Sequence, residues 1–194
     1  MYTPAYEAAV DHAMLYEVGG FWKLTPEVEA GLIDTAAQRK AVGYVDDPLD
    51  RGGETKFGVA FNANPDLDIT NLTWAQAKAV YYDRYWVTGA CEKLSGRVAV
   101  LHFDGCVNHG VGRAKKFLQT SVGAVADGIV GIKTLEAVNS RDPIEICNRI
   151  CDLREQFYRD IVANKPAQSR FLNGWLRRID EMRVFTTDTS REFH

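Results

Sequence analysis

One segment of the chain, Gly43 to Pro65, interrupts a pattern that is otherwise helical. It is rich in Gly, Pro and Asp and has no helical period, so loops and a short hairpin are expected there. On both sides of it, apolar residues recur at the three- and four-residue spacing of amphipathic helices. The pattern therefore predicts a mainly α-helical fold with a short irregular or β-hairpin segment near residues 43–62.

Helix starts and stops are marked by capping residues. Thr3-Pro4 and Thr25-Pro26 are typical starts, because Thr can cap the first turn and Pro lacks only an N–H that is unpaired there anyway. The first helix is expected to end at Glu17, and the second to run from about Pro26 to Ala41. Further predicted helices cover 73–86, opened by the capping box of Thr73 and Gln76, then 94–108, 111–120, 132–138, 143–164 and 168–183.

Length and charge exclude several classes of protein. A chain of 194 residues fits a single domain, predicted here over residues 1–194. A net charge of -3 argues against a protein that binds nucleic acid mainly through phosphates. No apolar run approaches the roughly 18 residues of a membrane span, and the chain starts without the basic region of a signal peptide. We therefore expect a monomer made in the cytoplasm, with no nucleic-acid partner and no membrane insertion.

The sequence offers no obvious metal site. The four cysteines, which show no metal-type spacing with the histidines, are Cys91, Cys106, Cys147 and Cys151. Cys147 and Cys151 lie four residues apart on one face of a predicted helix, and buried free thiols are favoured there over zinc or a disulfide. His12 and His102 are interpreted as ordinary polar residues. No phosphate loop, serine nucleophile elbow or zinc signature occurs, so no metal or organic cofactor is predicted.

Glu17 is an unusual carboxylate because it stands in the last turn of the first predicted helix, shortly before Gly19-Gly20. The negative end of the helix dipole and partial burial would both raise its pKa. A raised pKa suits a general acid that donates a proton to a glycosidic oxygen near neutral pH. The alternative is that Glu17 is a solvated residue that happens to precede a helix C-cap.

A second source of carboxylates is the segment from Asp46 to Thr55, which holds three aspartates among glycines. Glycoside cleavage typically uses two carboxyl groups across the scissile bond, and Thr55, five residues after Asp50, could help to hold a water. The alternatives are an acidic turn or a calcium-binding loop, although the spacing is not that of an EF-hand. The aromatic residues between Trp74 and Trp86 are expected mostly in the core, with one or two able to stack on a sugar.

Together these motifs resemble the glycoside hydrolase family 108 lysozymes, which are phage and prophage endolysins with a lysozyme-like helical domain. In that family a first helix ends in Glu-Gly-Gly-aromatic, and Glu17-Val18-Gly19-Gly20-Phe21 resembles it with one extra residue. The following family stretch is matched by Gly43–Pro48, Asp50, Gly52-Gly53, Thr55 and Phe57–Val59. The later chain resembles the family's predicted peptidoglycan domain, most clearly at Phe103–Gly110, Asp127–Gly131 and Gly174-Trp175.

The resemblance implies a catalytic N-terminal half over residues 1–90, a helical predicted-peptidoglycan half over 91–185 and a tail over 186–194. In most members the Glu-Gly-Gly and Tyr–Asp-Pro motifs are contiguous, whereas here an inserted helix at about 22–42 separates them. A contiguous alignment would put Ala41-Val42-Gly43 in place of Glu-Gly-Gly and leave no acid. Glu17 is preferred because its helix also resembles the family's first helix. The inserted helix is then either a flap beside the cleft or an element packed on the surface.

Carried over to this sequence, the resemblance implies Glu17 as the general acid that protonates the leaving oxygen. Asp50 would be the second carboxylate, which steers a water or stabilises the oxocarbenium-like transition state, and Thr55 would orient that water. Tyr44 and Asn108 are implied saccharide contacts.

The implied activity is that of a muramidase: hydrolysis of the β-1,4 bond between N-acetylmuramic acid and N-acetylglucosamine in bacterial peptidoglycan, during host lysis by a phage. The enzyme would need a holin to leave the cytoplasm and reach the peptidoglycan of the cell wall. The alternatives are a lytic transglycosylase, which uses a similar Glu but no water, and a non-catalytic peptidoglycan-binding or secretion-associated protein.

Overall fold

The computed structural model describes residues 2–19, 22–47 and 53–193. The chain divides into two compact units. The N-terminal unit is Glu7–Arg84, and the C-terminal unit combines the residues up to Tyr6 with the chain from Tyr85 onward. Both are built mainly of helices, as the sequence predicted. Among the described residues, every helix is too short or too polar to span a lipid bilayer.

Four helices and one hairpin come first along the chain: α1 (Pro4–Glu17), α2 (Pro26–Ala30), α3 (Ala36–Ala41), strands β1 (Thr55–Lys56) and β2 (Val59–Ala60), and α4 (Trp74–Tyr81). A short 3-10 turn, Phe61–Ala63, follows the hairpin, and a π-helical segment, Tyr82–Val87, follows α4. The predicted capping box is present, since Thr73 accepts a hydrogen bond from the backbone N–H of Gln76 and the Gln76 side chain caps in return.

The single helix predicted over Pro26 to Ala41 is wrong, because the structure has two short helices there. Gly31 ends α2 in the left-handed conformation, with φ 70°, and a Cβ at this position would collide with the carbonyl oxygen of Leu72. Thr35 then opens α3 through a reciprocal capping box with Gln38. The close approach of Leu72 leaves no room for a side chain at the break, a constraint that the helical spacing of apolar residues does not reveal.

The hairpin predicted in the Gly-rich segment is confirmed. Strands β1 and β2 are antiparallel, with Thr55 opposite Ala60 and Lys56 opposite Val59. The two turn residues, Phe57 and Gly58, both have positive φ, 52° and 72°, as two-residue hairpin turns of this hand require.

The later chain contains five α-helices: α5 (Gly96–His109), α6 (Val111–Ser121), α7 (Ile132–Asn139), α8 (Pro143–Asn164) and α9 (Ser169–Thr187). Two 3-10 turns, Cys91–Lys93 and Pro166–Gln168, precede α5 and α9. Helix α5 is the centre of the C-terminal unit, because every residue from Val98 to Cys106 is buried. It packs against α6, α8 and α9. Cys147 and Cys151 are buried free thiols on α8, as predicted.

A buried ion cluster ties α5 to α8 and α9. Asp104 accepts hydrogen bonds from Arg154 Nη2 at 2.6 Å and from Arg178 Nη2 at 2.8 Å. The Nε of Arg154 donates to His109 Nε2 at 3.0 Å, so that ring nitrogen must be unprotonated. Burial and the charge of Arg154 lower the pKa of His109 to about 3. The cluster is therefore one carboxylate, two guanidinium groups and a neutral imidazole.

Candidate functional site

Glu17 is the last residue of α1 and is half-buried. The chain returns to this helix end at Gly43, where a Cβ would lie 3.1 Å from Val18 Cγ1 and 3.3 Å from Val18 Cα. The described part of the intervening chain, residues 22–42, therefore leads back to the end of α1 beside Val18. Tyr44 directly follows Gly43, so it lies near the end of α1 that bears Glu17, although the two residues are far apart in sequence.

The hairpin turn lies against the Glu17 side chain. A Cβ at Gly58 would lie 3.2 Å from Glu17 Cβ and 3.3 Å from Glu17 Oε2. Tyr81, on α4, fixes the same turn from another side, since its hydroxyl donates to the carbonyl oxygen of Phe57 at 3.0 Å. The glycine thus leaves room for the carboxylate and the tyrosine to approach the turn together.

Thr55 belongs to the first strand of this hairpin. Its backbone exchanges hydrogen bonds with Val45 at 2.8 and 2.9 Å, and the other edge of the strand pairs with β2. The Thr55 hydroxyl donates to the carbonyl oxygen of Gly53 at 3.1 Å. The predicted water-orienting residue is therefore held on the hairpin whose turn lies against Glu17.

Tyr44 is anchored by a carboxylate that the sequence analysis did not single out. The Tyr44 hydroxyl donates to Glu54 Oε1 at 3.0 Å, and Thr70 Oγ1 donates to the same oxygen at 2.6 Å. Partial burial, together with the hydrogen bond to Glu54, raises the pKa of Tyr44. Glu54 directly precedes Thr55, so its place in the acidic segment was the available signal, but its two partners come from distant parts of the sequence.

Two further predicted site residues, Asp50 and Asn108, are not among the described residues of the N-terminal unit. Asp50 lies outside the described residues, as do Gly20 and Phe21 of the first motif. Asn108 belongs to the C-terminal unit, where its side-chain amide donates to the Tyr158 hydroxyl at 2.9 Å. The roles of Asp50 and Asn108 remain predictions.

The inserted segment, residues 22–42, packs against the rest of the N-terminal unit through apolar contacts. Trp22 meets Trp74 edge-on, with ring centroids 4.7 Å apart, and Phe57 lies 5.6 Å from Trp74. Val28 of α2 is buried. The aromatic residues Trp74, Tyr81 and Trp86 are also buried, which confirms the prediction that most of this group belongs to the core.

The structure brings two of the cysteines together with a histidine, in a group that the spacing along the sequence does not reveal. Cys91 Sγ, Cys106 Sγ and one ring nitrogen of His102 all lie within 4.8 Å of one another, in the interior of the C-terminal unit. His102 and Cys106 are one helical turn apart on α5, while Cys91 comes from the preceding 3-10 turn. The direction of that turn depends on tertiary packing, so sequence spacing alone did not show the group.

We expect Gly58→Ala to lower the cell-wall hydrolysis that the family resemblance implies. It should also destabilise the protein more than an ordinary Gly→Ala change at positive φ. The left-handed backbone alone costs about 1–2 kcal/mol, and the new Cβ would also lie only 2.5 Å from Tyr81 Oη and against Glu17. Urea unfolding and cell-wall turbidity assays measure the two effects. Gly123→Ala is the matched control, because Gly123 has φ +73° and its Cβ would meet nothing nearer than 3.7 Å. Equal losses in both variants would contradict this account of the turn.

Comparison with known proteins gives two family matches. Residues 35–110 match the family model described as Glycosyl hydrolase 108, and residues 113–180 match the one described as Predicted Peptidoglycan domain. The first match contains Tyr44, Asp50, Thr55 and Asn108, and begins after Glu17.

A solved structure described as Brucella abortus SagA is similar over 96% of this chain and 98% of its own, with 27% sequence identity and a TM-score of 0.67. Among curated proteins, none matches the chain.

Proposed function

We propose a muramidase activity for this chain, whose residues 35–110 match the Glycosyl hydrolase 108 family model and whose residues 113–180 match a predicted peptidoglycan domain. The chain is thus a glycoside hydrolase that acts on peptidoglycan in the bacterial cell wall. The bond proposed for cleavage is the β-1,4 linkage from N-acetylmuramic acid to N-acetylglucosamine.

The observation that carries the proposal is that the chain returns to the end of α1 at Gly43, which lies beside Val18. It supports an alignment in which Glu17 takes the position of the family's acid, despite the residues inserted after it. The carboxyl group stands at the C-terminal end of α1. It also lies against the turn of the hairpin that carries Thr55, the residue proposed to orient the water.

In the proposed reaction, Glu17 gives its proton to the leaving glycosidic oxygen as the bond to the anomeric carbon breaks. A water oriented by Thr55 supplies the oxygen that bonds to that carbon, and Asp50 steers this water or stabilises the positive charge that develops on the sugar. The proton that the water loses restores the acid for the next cycle. Tyr44, held by Glu54, and Asn108 are proposed to contact the saccharide.

The biological role that fits this activity is that of a phage endolysin. The enzyme would be made as a monomer in the host cytoplasm and would reach the peptidoglycan through a holin-type pore. Its action there would lyse the host cell.

Product analysis of digested peptidoglycan tests the proposed bond and the use of water. Purified cell walls are digested, reduced with borohydride and examined by mass spectrometry. Muramidase action is expected to give reduced N-acetylmuramic acid ends, because hydrolysis leaves a free reducing end on that sugar. Ends of 1,6-anhydromuramic acid would contradict the proposal in favour of a lytic transglycosylase. Reduced glucosamine ends would show that the other glycosidic bond is cut.

A further inference from the structure

A compact Cys–His–Cys group fills the interior of the C-terminal unit beside α5. Cys91, His102 and Cys106 have exposed fractions of 0%, 2% and 0%. Their three ligand atoms lie within 4.8 Å of one another. Two thiols and an imidazole are the donors that thiophilic ions such as Zn²⁺ prefer, whereas Ca²⁺ and Mg²⁺ take oxygen ligands.

The spacing of these atoms is close to that of a tetrahedral zinc site. Zinc bonds of about 2.3 Å to sulfur and about 2.0–2.1 Å to nitrogen or oxygen place sulfur and nitrogen about 3.6 Å apart, and nitrogen and oxygen about 3.3 Å apart. Here Cys106 Sγ lies 3.7 Å from His102 Nε2, and the Gly89 carbonyl oxygen lies 3.1 Å from the same nitrogen. These two spacings fit neighbouring ligands of one tetrahedral ion, and without an ion the Nε2–H of His102 donates to the Gly89 carbonyl oxygen instead.

Gly89 supplies the space as well as the carbonyl. A Cβ at this position would lie 2.9 Å from Cys106 Sγ, 3.0 Å from Cys91 Sγ and 3.9 Å from His102 Nε2. Gly89 is not among the residues with positive φ, so its backbone conformation does not require glycine. The missing side chain instead leaves open the face at which the three ligand atoms meet.

Charge also favours an ion at this position. Two thiolates balance the charge of a divalent cation, so the loaded group is neutral and avoids the large cost of burying a net charge. On binding, the two thiols release their protons and the neutral imidazole coordinates through Nε2, with its own proton on the other ring nitrogen.

We propose that Cys91, His102 and Cys106 bind one Zn²⁺ ion, with the Gly89 carbonyl oxygen as the fourth ligand. The ion joins the 3-10 turn Cys91–Lys93 and the helical residue Gly89, which follows the π-helical segment, to helix α5. It is a structural site, because all three side chains are buried and none belongs to the proposed catalytic group. Its effect would be to hold the chain that follows the π-helical segment against α5.

Metal analysis of the purified full chain tests the site. The wild-type protein is expected to contain one zinc per chain, and Co²⁺ exchanged into it should give the thiolate charge-transfer and intense visible bands of a tetrahedral cobalt–sulfur site. Chelation should lower the melting temperature, and added Zn²⁺ should restore it. Cys91→Ser and Cys106→Ser should lose the zinc, whereas Cys147→Ser, which alters an equally buried thiol on α8, should keep it.

Gly89→Ala keeps every ligand and changes only the space, so it should bind zinc at least tenfold more weakly. If the cysteine variants fail to fold, the wild-type cobalt spectrum and the Gly89→Ala affinity still decide the matter. A wild-type chain that takes up neither zinc nor cobalt and keeps four titratable thiols would overturn the proposal. So would an intact mass two hydrogens lower with a Cys91–Cys106 disulfide in the peptide map.

Discussion

Glu17→Gln is expected to slow peptidoglycan hydrolysis by about 10²–10⁴-fold, the usual contribution of a general acid. The amide has nearly the same shape as the carboxyl group, so it should keep the packing against the hairpin turn at Gly58. It cannot transfer a proton to the leaving glycosidic oxygen, and the bond would then have to break without acid assistance. The initial rate of turbidity loss of purified cell walls measures the effect.

The matched control is Glu29→Gln, which makes the same Glu-to-Gln replacement at an exposed residue of α2 in the same unit. This variant should lyse cell walls at the wild-type rate. Urea unfolding of both variants checks that any loss of rate is not a loss of folded protein. Equal lysis by wild type and Glu17→Gln would remove Glu17 from the mechanism and return the contiguous alignment, with Ala41-Val42-Gly43 in the motif position, to consideration.

Local signals in the sequence predicted most of the helices because their ends are encoded by a few residues each. Asp142, which accepts a hydrogen bond from the backbone N–H of Glu145, and Pro143 in the first turn mark the start of α8, where the predicted and observed bounds agree. The break within residues 26–41 also has local signals, Gly31 as a left-handed C-cap and the Thr35–Gln38 capping box, but the apolar spacing that continues across it favoured one helix. The need for glycine at position 31 has no local signal, because it comes from the carbonyl oxygen of Leu72, far along the chain.

The candidate site was predictable only where a motif is contiguous in sequence. The acidic segment before the hairpin and Glu17 at a helix end were recognised from their neighbours. Glu54 accepts hydrogen bonds from both Tyr44 and Thr70, and the bond from Thr70 depends on chain folding and has no local signal. The same holds for Cys91, whose approach to His102 depends on how its turn packs against α5.

Asp104→Asn is expected to destabilise the protein by about 3–5 kcal/mol, the usual cost of removing one partner from a buried ion pair. The Asp104 side chain is 2% exposed and bonds to Arg154, which is 0% exposed, and to Arg178. Burial alone would raise the pKa of Asp104, but the two guanidinium groups outweigh it and hold the pKa well below the ordinary value. An asparagine would leave both arginine charges in the interior without a balancing carboxylate. Urea unfolding at neutral pH measures the loss.

Asp152→Asn is the control, because Asp152 pairs with Arg183 at 2.7 Å while its side chain remains 69% exposed. Surface pairs of this kind contribute about 0–1 kcal/mol, so Asp104→Asn should lose several times more free energy of unfolding than Asp152→Asn. The difference in the free energy of unfolding between wild type and Asp104→Asn should also become smaller in acid. A carboxyl group with a lowered pKa stabilises the fold above its ordinary value of 3.8 and loses that contribution as the pH falls through the folded-state pKa. A small, pH-independent loss equal to that of Asp152→Asn would mean that the buried cluster does not hold α5 to α8 and α9.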